Sequence, residues 1–339
     1  MSAAARIAIA CLLLAVSAAL CAVPETELGE GAGTKVADYM AAHARTGTLA
    51  TADGATLAYQ RIDSRCSDTA LVIVPGWTES YLKYDEVIYD LRHHRWCIYV
   101  LDHRGQGLST RAIANTQVGY IDEFAQYVRD LELFDRRVVR SKPHRRVFFL
   151  AHSMGGLVTT LYAANETPRI NGLALSAPLF EVNGGWAPEW LAWSISWLLD
   201  SLGFGTSYVP GHSDWRESRW LFENNRVTHS RVRFARAISL WRADPELIVS
   251  GASNRWLQTT IEASRQVTAA ASRVTVPVLL LQADDDDFVK LPRQKTFCAA
   301  ARNCRRHLFL DAKHELLMER DRIRNEALAR IVQFVSGTP

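Results

Sequence analysis

Five stretches of this chain are apolar from end to end rather than in alternation: "ALVIVPG" at 70–76, "CIYVLD" at 97–102, "VFFLAHS" at 147–153, "GLALSAP" at 172–178 and "VPVLLLQAD" at 276–284. A strand with one face in water alternates, so uninterrupted runs of this kind predict strands covered on both faces. Helical segments such as Tyr120 to Val139 lie between them. Such a rhythm builds a doubly wound, mostly parallel α/β sheet. Thr48 to Ala52 and Ala55 to Ile62 alternate around Asp53-Gly54, which predicts an antiparallel hairpin in front of that sheet. At 339 residues and 48% hydrophobic, the chain can bury the core such a sheet needs, as one domain with an insertion or as two. Its 39 basic and 36 acidic residues leave a net charge of +3, too even a balance to wrap a nucleic acid.

The sequence opens with Arg6 ahead of an apolar run from Ile7 to Val23, with small residues near its end and Pro24 beyond. This is the pattern of an export signal cleaved after Ala19 or Cys21, with a retained anchor as the alternative for residues 1–23. The protein is expected to be exported, periplasmic or secreted. Loss of that segment removes Cys11 and Cys21 and leaves Cys66, Cys97, Cys298 and Cys304, an even set suited to an oxidising compartment. Cys66 and Cys97 each precede an expected strand, and Cys298 and Cys304 flank the end of a short helix. Those two pairings are favoured over four free thiols.

From 180 to 273 the strand–helix rhythm stops, and eight of the chain's ten tryptophans fall between Trp186 and Trp256. An inserted helical cap is the simplest account, dividing the core into 24–179 and 274–339. Within it Trp186, Trp190, Trp193 and Trp197 recur at helical spacing and place their rings on one face. Such a stripe has to be covered, by a cap core, a membrane interface or an acyl chain. Seven arginines between Arg216 and Arg242 offer a solvated face or a contact for phosphate and anionic membrane surfaces.

Chemistry concentrates at Ser153. A serine turned sharply between strand and helix is exposed at the carboxyl edge of the sheet, and small neighbours relieve the crowding there. Ala151, Gly155 and Gly156 meet that demand. The following helix aims its free amides and positive dipole end at the site, which favours a developing oxyanion. A serine hydroxyl needs an imidazole to take its proton, and the imidazole needs a carboxylate to fix its tautomer. "LLLQADDDDFV" ends an expected strand in four acids, and "LDAKHELLMER" offers His314 in a loop before the last helix. Ser, Asp, His is the chain order that accompanies a strand–turn–helix nucleophile.

Together "VPGWTESYLKYDEVIYDL", "YVLDHRGQGLS", "AHSMGGLV", "LLLQADDDDFV" and "DAKHELLMERD" resemble the α/β-hydrolase superfamily, and within it the branch of bacterial lysophospholipase L2 and monoacylglycerol-lipase-like serine hydrolases. The resemblance runs from about Thr48 to the carboxyl end and weakens through the tryptophan-rich segment. It implies the α/β-hydrolase fold with Ser153 as nucleophile and His314 as general base. It places the acid four residues beyond Gln282, at Asp286, with Asp285 as second choice. Backbone amides of Trp77 and Met154 would form the oxyanion hole, with Gly76 allowing close approach. Two departures are Pro75, where many relatives have histidine, and Ala151, where the pattern usually has glycine. "DHRGQGLS" lacks the lysine of a phosphate loop, so Asp102 and Arg104 are expected to hold a loop and His103 to pack.

No histidine pair has metal-ligand spacing, and no cofactor is implied. The implied activity is cleavage of the acyl ester of a lysophospholipid or monoacylglycerol through an acyl-enzyme. The expected partners are a lipid or small ester and, through the cap, a membrane surface. An acyltransferase or thioesterase, a small-ester hydrolase, and a catalytically silent lipid-binding relative are the alternatives.

Overall fold

The computed structural model describes residues 22–338 apart from 30, 31, 167 and 186. The expected export signal lies almost wholly outside these residues, as does Trp186. Among the described residues no helix is long and apolar enough to cross a membrane.

Eight strands form one sheet: β1 Arg45–Ala50, β2 Thr56–Ile62, β3 Thr69–Val74, β4 Cys97–Leu101, β5 Arg146–His152, β6 Gly172–Ser176, β7 Val278–Ala283 and β8 Cys304–Phe309. Their order across the sheet is β1-β2-β4-β3-β5-β6-β7-β8. The expected hairpin is present, with Ala50 opposite Thr56 and Gly54 at φ +87° in the turn. It joins antiparallel to β4, and every later pairing is parallel. Every residue of β3, β4, β6 and β7 is buried, which is why these strands read as continuous apolar runs. β8 is an edge strand, opposite β1, and its Arg305 and Arg306 are exposed. No apolar run announces it.

Alternation along β3 divides the core. Val72 and Val74 face a layer made by α3 Ala125–Arg137, α4 Met154–Asn165 and α7 Asn254–Ala270, where Leu131, Leu157 and Val267 pack. Leu71 and Ile73 face the opposite layer, with Ile88 of α2 Asp85–Leu91 and Ile331 of α9 Asp321–Gly337. A further helix, α1 Ala32–His43, packs beside α2, where Val36 and Met40 join that layer. Helix α8 Leu291–Ala300 lies between β7 and β8 and carries Cys298. The two expected disulfides are formed, Cys66 to Cys97 and Cys298 to Cys304.

Between Phe180 and Arg273 the described residues form α5 Glu189–Leu199 and α6 Arg231–Ala243 ahead of α7, joined by loops and short turns. Helix α7 belongs to the core as much as to the insertion, since Trp256, Ala263 and Val267 join the buried cluster around α4. Val118–Gly119 pairs in parallel with Gly251–Ala252 and ties the insertion to the β4–α3 connection. A second tie is Arg233 at the start of α6, which is fully buried and pairs with Glu86 at 2.9 Å and Asp321 at 2.7 Å. Helix α5 and the turn after it stay open among the described residues: Trp190 and Leu202 are each 63% exposed, Trp197, Leu198 and Phe204 are also exposed, and Ser196 is the one buried residue of the helix. Trp193 is partly covered, its indole N–H donating to Glu262.

Candidate active site

Strand β5 runs through His152 into Ser153, whose backbone sits at φ 49°, ψ −118°. A left-handed φ is costly for a residue with a Cβ and persists only where packing over-determines it. The surroundings supply that constraint. The Ser153 amide donates to Ser176 O at 3.0 Å, and Ser153 O accepts from Leu179 N at 2.9 Å and from Gly156 N at 2.9 Å. A Cβ on Gly155 would fall 2.3 Å from Val74 O, and one on Gly156 would fall 2.6 Å from Pro178 Cβ. Both glycines are sterically obligatory. The turn presents Ser153 Oγ beyond the carboxyl end of β5, at the amino end of α4.

Two later loops bring the remaining expected side chains to it. His314 Nε2 lies 2.9 Å from Ser153 Oγ, and His314 Nδ1 lies 2.7 Å from Asp286 Oδ2. An ionised carboxylate only accepts, so the ring proton belongs on Nδ1, leaving Nε2 to accept from the serine hydroxyl. Asp286 Oδ1 takes two backbone donors, Phe288 N at 2.9 Å and Val289 N at 3.1 Å, which fix the carboxylate. Its three aspartate neighbours are engaged elsewhere: Asp284 Oδ1 accepts from Ala312 N, Asp285 is exposed, and Asp287 pairs with Arg226. Ser153 and His314 are both buried, at 7% and 5% exposure. Phe288 stands against the imidazole with ring centroids 5.2 Å apart.

Facing the serine is the turn that leaves β3. A Cβ on Gly76 would come within 2.9 Å of the His152 ring and 3.2 Å of Ser153 Cβ, so only glycine lets this backbone approach. Thr78 turns the chain at φ 69°. The Trp77 ring stacks on Trp256 of α7 with centroids 4.4 Å apart, and Gly119 leaves room for it. No protein acceptor is assigned to the amides of Trp77 or Met154 among the described residues. Beneath the turn, buried His103 reaches Pro75 O through Nε2 at 3.2 Å, and Gln106 donates to Gly76 O at 2.7 Å and to Glu79 O at 2.8 Å. Asp102 accepts from Ser80 Oγ and Leu108 N, and Arg104 pairs with Asp130 and Asp53. These residues hold loops, as expected of "DHRGQGLS".

Four ionisable side chains absent from the sequence reading surround the same turn. Glu79 Oε2 accepts from Gly76 N at 2.5 Å and from Tyr84 Oη at 2.7 Å. Lys83 donates to Glu79 Oε1 and to Glu315 Oε1, the latter at 2.5 Å. His152 Nε2 lies 3.3 Å from Glu315 Oε2 and 3.8 Å from Glu79 Oε1, while its Nδ1 faces Ser176 O at 3.1 Å. Burial opposes the charge on His152, yet Glu315 and Glu79 outweigh it and hold its pKa above the ordinary imidazole value. Burial likewise opposes ionisation of Glu315, but Lys83 and His152 draw its pKa well below the usual carboxylate range. Glu79, His152 and Glu315 are residue types that ligate metals. Here the Lys83 ammonium already bridges the two carboxylates.

A doubly wound parallel sheet with a strained serine at the end of its central strand, met by histidine and aspartate from later loops, defines an α/β-hydrolase. The chain matches the family described as serine aminopeptidase, S33, over residues 65–321, and it belongs to that family. It is 35% identical over 291 residues to lysophospholipase L2 of Escherichia coli strain K12, covering 83% of this chain and 84% of that protein. A monoglyceride lipase of Rattus norvegicus is 27% identical over 239 residues, covering 70% and 72%. The fold also matches the crystal structure of a soluble variant of monoglyceride lipase from Saccharomyces cerevisiae in complex with a substrate analog, with TM-score 0.67, 18% identity, and coverage of 87% of this chain and 96% of that one. This protein is an enzyme, a hydrolase of the lipase and esterase type.

Proposed function

We propose that this hydrolase cleaves the acyl ester of a lysophospholipid or a monoacylglycerol, with Ser153, His314 and Asp286 as its catalytic residues. The observation that carries this reading is the unbroken contact from Ser153 Oγ through both ring nitrogens of His314 to Asp286. Ser153 Oγ attacks the ester carbonyl as His314 Nε2 takes its proton, and Asp286 stabilises the imidazolium. The carbonyl oxygen, now negative, is received by the Trp77 and Met154 amides at the amino end of α4. Collapse expels the glycerol-bearing alcohol with the proton from Nε2 and leaves the fatty acyl group on Ser153. Water, deprotonated by the same imidazole, then releases the fatty acid.

The lipid class is supported by the likeness to lysophospholipase L2 along most of both chains. The exposed apolar face of α5 and the residues after it, from Trp190 to Phe204, fits a bilayer or micelle surface where such substrates reside. An exported location is supported by the leader pattern and by two disulfides, which persist in oxidising compartments. The test is fatty-acid release from lysophosphatidylcholine, lysophosphatidylethanolamine, a monoacylglycerol and short p-nitrophenyl esters, with Ser153→Ala as control. Release from the lipids that vanishes in Ser153→Ala supports the reading. Turnover restricted to the short esters would remove the lipid assignment, and turnover surviving in Ser153→Ala would remove the serine.

A further inference from the structure

Three of the four members of the buried ionic group are near neighbours in sequence of a residue at the site. Glu79 follows Trp77 by two positions, His152 directly precedes Ser153, and Glu315 directly follows His314. Lys83 joins the two carboxylates, and the His152 ring stands 4.8 Å from the His314 ring. The group therefore ties together the three chain segments that the reaction must hold in register. We propose that Glu79, Lys83, His152 and Glu315 are positioning residues, a closed ion cluster that sets the Gly76–Trp77 turn against the segments bearing Ser153 and His314. This rests on the serine-hydrolase reading above.

Stability is a poor explanation for the cluster. Desolvating several charges offsets much of their mutual attraction, and an apolar filling of the same volume would serve packing equally well. What apolar side chains cannot do is orient a backbone amide. Glu79 Oε2 accepts the Gly76 N–H, which fixes the peptide directly before the Trp77 N–H, and Lys83 holds Glu79 through its other oxygen. A displaced oxyanion donor costs rate rather than binding, because the negative oxygen exists only in the transition state.

Glu79→Gln tests this with almost no change of shape. Gly76 N and Tyr84 Oη donate to one carboxylate oxygen and Lys83 to the other, so either orientation of the amide sets its NH2 against a donor. We expect kcat for a p-nitrophenyl ester to fall on the order of 10- to 100-fold with KM within about two-fold. Fluorophosphonate labelling of Ser153 should slow but reach the wild-type end point. Glu79→Gln/Lys83→Met, which removes the donor clash and leaves the cluster's net charge unchanged but no longer ties residue 79 to Glu315, should recover only part of the lost rate. A folded Glu79→Gln with kcat within about two-fold of wild type, a loss explained by a lower labelling end point at unchanged rate, or a double variant no better than the single would each overturn the proposal. If Glu79→Gln does not fold, Lys83→Met alone, which frees Glu79 from its second contact, takes its place under the same kcat and end-point criteria. Ser153→Ala, run alongside, separates the two readings: its inactivity with an unslowed Glu79→Gln refutes the cluster alone, whereas its activity refutes the serine mechanism.

Discussion

Asp286→Asn is the substitution whose outcome the geometry determines most closely. Asp286 Oδ1 accepts two backbone N–H groups, from Phe288 and Val289. An asparagine must keep its carbonyl oxygen there, since turning its NH2 toward two donors would leave all of them unpaired in a buried place. Its NH2 then faces His314 Nδ1, where the carboxylate oxygen stood at 2.7 Å. To accept that bond Nδ1 must give up its proton, and the neutral ring carries it on Nε2 instead, pointing at Ser153 Oγ. The imidazole is then a donor to the group it has to deprotonate. Loss of the acid by this tautomer switch costs about 10⁴-fold in kcat in serine hydrolases, which is about 5.5 kcal/mol of barrier at 1.36 kcal/mol per decade. The assay is steady-state hydrolysis of a p-nitrophenyl ester, with thermal unfolding to verify that the variant is folded. Asp285→Asn, at an exposed side chain, should stay within about two-fold of wild type. A folded Asp286→Asn that loses less than about 10-fold, or an Asp285→Asn that loses more than it does, would refute the tautomer reasoning.

Gly155→Ala should cut turnover by about 10²-fold, because the new methyl meets the carbonyl oxygens of Val74 and Pro75 at 2.3 and 2.4 Å and must move the turn; wild-type kinetics would show that the turn yields freely. Arg233→Met should lower unfolding stability by about 2 to 3 kcal/mol in urea titrations, since Asp321 loses its buried guanidinium and Glu86 is left to Arg324 alone, and a loss under about 1 kcal/mol would count against this tie between α6 and the core. Opening the Cys66–Cys97 bridge, which spans 31 residues, should cost more stability than opening Cys298–Cys304, which spans 6; the loop-entropy scale gives about 3.7 against about 2.2 kcal/mol, read as the Tm loss of each paired serine variant. The wild-type Tm should decline as pH rises above the ordinary imidazole range, because the pKa of His152 is raised. Its stabilisation is complete below the ordinary value of about 6.5 and is lost as pH climbs through the higher folded value. His152→Gln should flatten that alkaline slope, and an unaltered slope would refute the pairing.

The fold was legible where burial is two-sided. β3 through β7 sit under helices on both faces, so their residues needed no alternation and stood out as apolar runs, and the front hairpin was marked by a turn dipeptide that favours a left-handed backbone. β8 left no such signal because an edge strand solvates part of its surface, and Arg305-Arg306 reads as loop. The tryptophans of α5 show a different limit. Their spacing fixed the face they share, but whether that face is covered depends on what packs beside it. Among the described residues Trp190 and Trp197 stay exposed.

At the site, residue type and local geometry were legible and three-dimensional support was not. Ser153 could be picked out because a strained turn demands small neighbours, and His314 because a serine needs an imidazole from a late loop. Asp286 needed a count along a known pattern, since four consecutive aspartates are chemically alike; the distinction among them is made by Phe288 N and Val289 N, which capture one and leave its other oxygen for His314. The ion cluster gave no signal at all. Glu79 and Lys83 are four apart beside a tryptophan, as any solvated helical pair would be, and their partners lie 73 and 232 residues further on. Chemistry prescribes the type of a residue that bonds to substrate. It does not prescribe how that residue is held, so supporting groups vary in type and position and emerge only once the chain has brought three distant segments together.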